Sequence, residues 1–456
     1  MLQYFFVIYD ILNKKEEKYD KIWIQRIKKI KNLIETKELK EKWRNGIKDF
    51  TRKRKMDFKK LIHYILNKRG LSTNMEINNF YDKINENTEL TVQSLLNQRL
   101  KLNPDVFLEL NKEYLRGFYT EYKDIDVKTY KGYILKAIDG SDFEIPNTQR
   151  SRETYGRIKD KTGESIPRTS VSMCYDILNK YIIDVIPEKY RTSEISMAKR
   201  HVKKDKEITE DYESIYIMDR NYVSMESIIF FNKRNIKFLS RLKSTYYQKE
   251  VERMKSDDEI VELEHTEGRL RKKNFEEESM RQYAKKQKST RVRIIKYRLE
   301  TGEIEYLITN IENFKYEEIV EIYRKRWKIE TMYFSLKSKL QIEKFTSSNE
   351  IIIKQDIYSG VLVYNMIQTM KNEAEEKIEQ KKYKHEMKVN ENIAIGLFKN
   401  EMIKIILEED EKKRAMMYDK LSEKMLKYRI PVRKNRKYEI EPQKYNKNSY
   451  NKLKSF

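Results

Sequence analysis

Four polar residues with regular spacing are the first candidates for chemistry: Tyr323, Arg326, Glu330 and Lys337. At about 100° per residue they fall within roughly 60° of arc on one face of a helix. From the first to the last the helix rises about 21 Å at ~1.5 Å per residue, which is too long for one small ligand. The row suits an extended polyanion, with Arg326 and Lys337 binding phosphates and Tyr323 donating a directional hydrogen bond. An ordinary solvated row of charges is the simpler alternative, but it does not explain a Tyr and a Glu among the bases.

Two aspartates are candidates to join Glu330 in a carboxylate cluster. Asp139 and Asp219 each follow a short apolar segment that predicts a strand. Sheets deliver side chains from their strand ends to one edge, where the sites of α/β proteins form. Taken alone, an Asp after a strand is more commonly the cap of a turn or a helix. Asp142, three residues after Asp139, is the alternative for the first acid.

Three carboxylates predict a hard oxygen site that suits Mg²⁺, with Mn²⁺ as a substitute, rather than zinc. Two such ions would support an in-line phosphoryl transfer, because one lowers the pKa of the attacking water or 3′-hydroxyl and the other stabilises the leaving oxygen. Cys174 is the only cysteine, so the sequence excludes an internal disulfide and a cysteine-based zinc site. The four histidines are too scattered to suggest a metal cluster, and we expect each to be structural or on the surface. They are His63, His201, His265 and His385.

The elements before these residues are predicted to be helical. From about 13 to 130, Lys, Glu, Leu and Ile recur at helical spacing, with helices predicted at 58–65, 76–84 and, after a Thr cap, 91–102. The last helix is rich in amides and bases, and the run 52–55 is basic. This pattern is typical of a small DNA-binding bundle, although solvated charged helices give the same pattern.

At residue 131 the pattern changes to that of an α/β domain. A hairpin turning at Asn179-Lys180 follows the strand that ends at Asp139. The predicted order is strand, strand, strand, helix, strand, helix and strand, at 133–138, 169–174, 181–186, 193–206, 214–218, 225–234 and 236–242. This is the order of a ribonuclease-H-like core with a mixed sheet.

The rest of the chain predicts an insertion and then helices. Residues 243–310 predict a mostly β insertion with strands at 259–263, 291–299 and 304–309. A long helix from Tyr316 to about Gln341 carries the polar row beside an apolar face formed by Ile322, Ile329, Tyr333, Leu336 and Leu340. Helices continue to Pro431 and a basic tail follows. The predicted regions are 1–130, 131–242, 243–310, 311–354 and 355–456.

The amino-acid composition limits the classes of molecule that the protein is expected to bind. Lys and Arg number 97 against 73 Asp and Glu, a net charge of +24, which favours a polyanion such as nucleic acid. A Lys-, Asn- and Ile-rich composition also arises from an AT-rich genome, so charge alone does not decide this. The run Leu2 to Leu12 contains Asp10, lacks a basic leader and is too short to span a bilayer. We therefore expect a cytoplasmic protein with no membrane segment and no small-molecule substrate.

The polar row matches a Y-(2)-R-(3)-E-(6)-K signature, and on it the chain resembles the DDE transposases of the bacterial cut-and-paste insertion-sequence class, the insertion sequence 4-like group. Three other segments are similar to the family, and the resemblance runs from about 130 to 370. These segments are Ala137-Ile138-Asp139-Gly140-Ser141, Ile217-Met218-Asp219-Arg220-Asn221-Tyr222 and Leu307-Ile308-Thr309-Asn310.

The resemblance implies that Asp139, Asp219 and Glu330 are the catalytic and metal-binding residues. It also implies a ribonuclease-H-like core, a β-rich insertion between the second Asp and the Glu, and N-terminal helices that bind the terminal repeats of double-stranded DNA. The reaction would be nicking at the transposon ends and strand transfer, in some members through a DNA hairpin. It would occur within a synaptic homodimer, for which the helices at 355–430 are candidate dimerisation elements.

A few other residues are candidate DNA contacts, and some of them also have a purely structural explanation. Some members use an aromatic residue of the insertion to hold a flipped base, but the tryptophans are Trp23, Trp43 and Trp327, all outside it. Tyr246 or Tyr247 would stack instead, unless they are ordinary strand aromatics. Arg241, in a Phe-Leu-Ser-Arg-Leu segment, is a further candidate DNA contact.

Two alternatives to a transposase remain: a non-mobilising DNA-binding protein with the same fold, and a ribonuclease-H-like nuclease. The three intact acids argue against the first alternative, and the signature and the insertion argue against the second.

Overall fold

The computed structural model describes residues 23–121, 127–159, 165–243, 245–381 and 383–432. The chain divides into two compact units. The helical unit combines Met1–Gly117 with Phe334–Phe456, and the sheet unit is Phe118–Tyr333. The basic tail after Pro431 lies almost wholly outside the described residues.

Helices dominate both ends of the chain, and strands dominate its middle. The helices are α1 (23–35), α2 (Lys37–Trp43), α3 (Phe58–Asn67), α4 (Thr73–Lys83), α5 (Val92–Arg99), α6 (Val106–Arg116), α7 (Gln149–Tyr155), α8 (Glu194–Asp205), α9 (Met225–Lys233), α10 (Gln248–Arg253), α11 (Glu278–Lys285), α12 (Tyr316–Arg324), α13 (Lys328–Phe334), α14 (Glu350–Glu379), α15 (Glu391–Leu407) and α16 (Glu411–Lys427). The strands are β1 (Tyr133–Glu144), β2 (Arg157–Lys159), β3 (Ser165–Asp176), β4 (Tyr181–Lys189), β5 (Glu213–Met218), β6 (Lys237–Leu242), β7 (Asp258–Glu264), β8 (Ser289–Arg298), β9 (Ile304–Thr309), β10 (Met387–Val389) and β11 (Arg429–Pro431).

The sheet unit is built on one mixed sheet. β1 pairs antiparallel with β3 and parallel with β5, β3 pairs antiparallel with β4, and β5 pairs parallel with β6. The core order is therefore β4-β3-β1-β5-β6, a three-stranded meander followed by two parallel strands that are reached through α8 and α9. This arrangement confirms the predicted ribonuclease-H-like mixed-sheet fold.

β1 is the central strand because its side chains are apolar toward both faces. Ile134, Leu135, Ala137 and Ile138 are fully buried, as expected for a strand covered on both sides. Lys136 is the exception, and its ammonium forms a buried ion pair with Asp205 of α8. The strand is thus held in place by burial and by one internal charge pair.

The strands predicted in the insertion are confirmed, but they extend the core sheet. β9 pairs antiparallel with β6, β8 with β9, and β7 with β8. An uncovered β6 would leave a row of unpaired backbone groups, and β9 satisfies them. Helices α10 and α11 also lie in this segment, beside the three strands.

The helix that carries the polar row begins at the predicted residue, Tyr316, but it is not one α-helix. A 3₁₀ turn at Lys325–Trp327 separates α12 from α13, and a π-helical turn at Ser335–Lys339 follows. These turns change the rotation per residue from the uniform 100° that the sequence prediction assumed. The predicted apolar face is buried along its whole length.

The helical unit has α14 at its centre. This helix packs against α3, α6, α15 and α16, so helices from both ends of the chain share one core. Most of its side chains are buried by those contacts and are not available to a second copy of the chain. The predicted helices α3, α4 and α5 are confirmed, and the Thr91 side chain accepts a hydrogen bond from the Ser94 amide at 3.2 Å. In the described part of the chain, no helix is both long and apolar enough to cross a membrane.

Candidate active site

Asp139 and Asp219 lie at equivalent positions on two neighbouring parallel strands. The parallel pairing of β1 with β5 ends at Ile138 and Met218, so the two aspartates come next on each strand. Asp139 is nevertheless inside β1 and not after it, because β3 continues to pair with β1 as far as Glu144. Asp219 leaves the sheet and precedes the 3₁₀ turn Arg220–Tyr222.

Arg326 joins the first acid to the third. Its Nη1 lies 3.5 Å from Asp139 Oδ2, and its Nη2 lies 2.8 Å from Glu330 Oε1. Burial alone would lower the pKa of Arg326, but the surrounding groups, Tyr323, Glu330 and Asp139 among them, raise it. The structure thus brings together Asp139 and Glu330, which are 191 positions apart in the chain, through the guanidinium that the sequence assigned to phosphate binding.

The second acid also faces an arginine. Arg241 Nε lies 3.6 Å from Asp219 Oδ1, and its Nη1 donates a hydrogen bond to Glu305 at 2.5 Å. Arg241 therefore faces acids of the sheet unit, and its predicted contact with DNA stays a prediction. All three predicted acids have a guanidinium as their neighbour.

The pKa of Asp139 is raised to about 6. Burial is the largest cause, and the negative charges of Glu194 and Glu330 add to it. The Gly140 amide, which donates to Asp139 Oδ1 at 2.9 Å, and the charge of Arg326 act in the opposite direction. Burial therefore disfavours the charged form of Asp139 by more than Arg326 and the Gly140 amide compensate, and a bound cation would favour that charged form.

Tyr333 fixes the signature helix to the sheet. Its hydroxyl lies 2.8 Å from the carbonyl oxygen of Asp139 and 3.0 Å from that of Val171, and its single hydrogen is shared between these two acceptors. These bonds secure α13 beside the strand that carries the first acid. Tyr323, on α12, is only 7% exposed, and burial raises its pKa.

Asp142, the alternative first acid, has a different environment. Its Oδ1 accepts a hydrogen bond from the Ser170 hydroxyl at 3.0 Å, on the neighbouring strand. Asp139 is the residue that lies against Arg326, so the geometry favours Asp139 as the first acid.

The structure does not gather the whole predicted polar row in one unit. Tyr323, Arg326 and Glu330 belong to the sheet unit, whereas Lys337 lies on the π-helical turn of the helical unit. There its ammonium lies 3.6 Å from Glu343. The role of Lys337 in binding DNA stays a prediction.

The region predicted to bind DNA, which comprises α5 and the basic run 52–55, contains both buried and exposed bases. Arg99 is fully buried, and its Nη2 forms an ion pair with Asp356 of α14 at 2.7 Å, so it is structural. Arg52 and Arg54 are exposed. Together with Lys48, Gln98 and Lys101 they line a polar cavity of about 340 Å³ in the helical unit.

The donor set fits a hard divalent cation. Asp139, Asp219 and Glu330 offer carboxylate oxygens, which Mg²⁺ and Mn²⁺ prefer. Nowhere within the described residues do three or more Asp, Glu, His or Cys side chains converge as a ready-made metal site. Arg326 and Arg241 are the cations that accompany the acids in this structure.

A Ser, a His and an Asp are arranged like the catalytic triad of a hydrolase, but they lie in the core. His201 Nδ1 is 2.7 Å from Asp184 Oδ2, and His201 Nε2 is 3.0 Å from Ser172 Oγ. All three residues are buried, so a substrate cannot reach the serine. This arrangement confirms that His201 is structural, and it stabilises the packing of α8 on β3 and β4.

Two residues near the acids were missed from the sequence, Glu194 and Tyr222. Glu194 is the first residue of α8, where an acidic side chain is common for the sake of the helix dipole and gives no functional signal. Tyr222 ends the family-like segment around Asp219, but the sequence alone assigns it no role. Their proximity to Asp139 depends on how α8 and the turn after β5 pack on β1.

Comparison with known proteins gives one family. A family model described as "Transposase DDE domain" matches residues 130–366, more than half of the 456 residues. Among solved structures, one that is similar is described as "Cryo-EM structure of piggyBac transposase synaptic complex with hairpin DNA (SNHP)". It is 11% identical, with 93% of this chain and 87% of that chain covered and a TM-score of 0.43. No curated protein sequence matches.

Proposed function

Because the chain belongs to the DDE transposase family, we propose that it cuts and joins DNA by phosphoryl transfer that depends on a divalent metal, with Asp139, Asp219 and Glu330 as its acids. The observation that carries this assignment is that Arg326 contacts both Asp139 and Glu330. Arg326 lies in the 3₁₀ turn before α13, the helix that Tyr333 secures to β1. A sheet edge with three acids and two arginines suits a reaction on a polyanion.

Asp139, Asp219 and Glu330 would hold Mg²⁺, or Mn²⁺ in its place, as one or two ions. When bound, such ions supply an activated water or 3′-hydroxyl and stabilise the leaving oxygen. The three carboxylates are positioned by β1, β5 and α13, which are rigid elements. Arg326 and Arg241 accompany these acids in the structure, and we propose that they bind DNA phosphates once bound cations neutralise the acids.

The proposed partner is double-stranded DNA, at transposon ends and at the target site. The cavity lined by Lys48, Arg52, Arg54 and Lys101 offers four cationic side chains to a phosphate backbone. We assign contacts with the terminal repeats to this part of the helical unit. Lys337 and the partly exposed Tyr246 are proposed as further contacts.

The finer assignment is a cut-and-paste transposase of the insertion sequence 4-like group that acts as a synaptic homodimer. Its support is the Y-(2)-R-(3)-E-(6)-K spacing, of which Arg326 and Glu330 are in direct contact. A non-mobilising DNA-binding protein and a ribonuclease-H-like nuclease are the alternatives.

The test is a cleavage assay with Mg²⁺ and DNA carrying candidate element ends. Glu330→Gln keeps the size of the side chain but removes a metal-binding charge, so we expect it to bind DNA and not to cleave it. Glu317→Gln, at an exposed position of α12, is the matched control and should cleave like the wild type. Equal cleavage by Glu330→Gln would refute the mechanism. Products joined to a target DNA distinguish a transposase from a nuclease.

A further inference from the structure

Glu194 lies close to Gly140, the residue that follows the first acid. It is the first residue of α8, which begins directly after the Ser193 cap. A methyl group placed on Gly140 would lie 3.4 Å from Glu194 Oε1 and 3.8 Å from the Tyr222 hydroxyl oxygen. Gly140 follows Asp139 in β1, so the missing side chain leaves both polar groups close to the strand one residue after the first acid.

The Tyr222 hydroxyl is buried without a partner. The residue is 2% exposed, and its hydroxyl has no hydrogen-bond partner within the described part of the chain. The charges that act on it most belong to Asp139 and Glu194, and Asp219 contributes as well. A buried hydroxyl normally has a partner because leaving it unpaired costs free energy. Tyr222 is therefore a buried hydrogen-bond donor without an acceptor, in the electrostatic field of these acids.

Glu194 also belongs electrostatically to this group. Burial raises its pKa, and the charges of Asp219 and Asp142 raise it further, while Lys243 acts in the opposite direction. Three carboxylates leave most of the six positions around each Mg²⁺ to water or substrate. A fourth carboxylate would add an anionic oxygen on the side of the sheet edge that α8 covers.

We propose that Glu194 is a fourth carboxylate of the cation site and that Tyr222 is a positioning residue whose hydroxyl donates to Glu194 when the site is loaded. This inference rests on the proposed function, since it needs a cation at Asp139 and Asp219. The partner of the site is a hydrated divalent cation, and Mn²⁺ is the probe.

The test for Glu194 measures Mn²⁺ binding to the full chain without DNA, by calorimetry or electron paramagnetic resonance. We expect Glu194→Gln to weaken Mn²⁺ binding about tenfold or more, in the range of losses seen around metal sites. Glu213→Gln is the control, since Glu213 is exposed at the other end of β5 from Asp219 and should bind Mn²⁺ like the wild type. Unchanged affinity in Glu194→Gln would overturn the assignment of Glu194.

Asp139→Asn separates this inference from the function on which it rests. If Asp139→Asn also binds Mn²⁺ like the wild type, the proposed cation site itself is wrong. If Asp139→Asn loses Mn²⁺ and Glu194→Gln does not, only the fourth carboxylate is wrong.

Tyr222→Phe tests the positioning role separately from stability. Removing an unpaired hydroxyl should leave the Tm unchanged or raise it, yet we expect Mn²⁺ binding to weaken several-fold. A structural role for the hydroxyl would instead lower the Tm and leave the Mn²⁺ affinity unchanged, and that result would overturn the proposal for Tyr222.

Discussion

Replacing Asp139 by Asn should make the metal-free protein more stable at neutral pH. The pKa of Asp139 is raised from 3.8 to about 6, chiefly by burial, so the folded state disfavours the charged form. A shift of about two units at 1.36 kcal/mol per unit corresponds to about 3 kcal/mol. Asn has nearly the same shape and carries no charge, so the variant avoids that cost. The ionised carboxylate thus lowers the free energy of unfolding, and a cation bound to the folded state would raise it again.

Because the pKa of Asp139 is raised in the folded state, the stability difference between the wild type and Asp139→Asn should depend on pH. Below pH 3.8 Asp139 is protonated in both the folded and the unfolded state, and its charge costs nothing. Between pH 3.8 and about 6 the unfolded chain ionises first, so the wild type loses stability as the pH rises. Above about pH 6 the loss is complete. The advantage of Asp139→Asn should therefore be full at neutral pH and absent in acid.

The assay is unfolding by urea, followed by circular dichroism in EDTA, at neutral pH and near pH 4. Asp211→Asn is the control, because Asp211 is exposed in the same unit and its replacement should change little. Equal or lower stability of Asp139→Asn at neutral pH, or a gain of the same size in acid, would refute the reasoning. Saturating Mg²⁺ should narrow the difference, since it stabilises only a chain that binds it.

Two further predictions concern the core and the DNA contact. Asp205→Ala leaves the fully buried Lys136 ammonium without its counter-ion and should cost about 3–5 kcal/mol, measured by the same unfolding assay. A loss below about 1 kcal/mol would show that the pair is not needed. Lys337→Ala should weaken DNA binding and reduce the slope of log K against log salt by about 0.9, one phosphate contact. An unchanged slope, measured by fluorescence anisotropy across salt concentrations, would exclude Lys337 from the phosphate contacts.

Local patterns in the sequence were enough for most elements of the fold. Apolar runs between turn residues predicted β3 to β9, and the Thr91 cap predicted the start of α5. The proximity of Asp139 and Asp219 was also predictable, because both follow apolar segments of one parallel pair of strands. These features depend on residues that are close together in the chain.

Contacts between distant residues were not predictable. Arg99 looked like a DNA-binding base, but Asp356, 257 positions later, holds it in the core. Arg326 looked like a phosphate ligand, although it lies between two carboxylates. The extension of the sheet by β7, β8 and β9 depends on the pairing of β6 with β9, and no local periodicity encodes which strands pair.

The assembly of α14 with α6 has a consequence for synthesis on the ribosome. α6 ends at Arg116, and α14 begins at Glu350, so the whole sheet unit is translated between two partners of one core. At about 5–20 residues per second, the interval is on the order of 10–50 s. During that time α14 is not yet available to pack on the apolar face of α6, which includes Phe107, Leu110 and Tyr114. Nascent chains therefore lack the helix that covers this apolar face until the last quarter of the protein emerges, whereas all residues of the sheet unit have been translated by then.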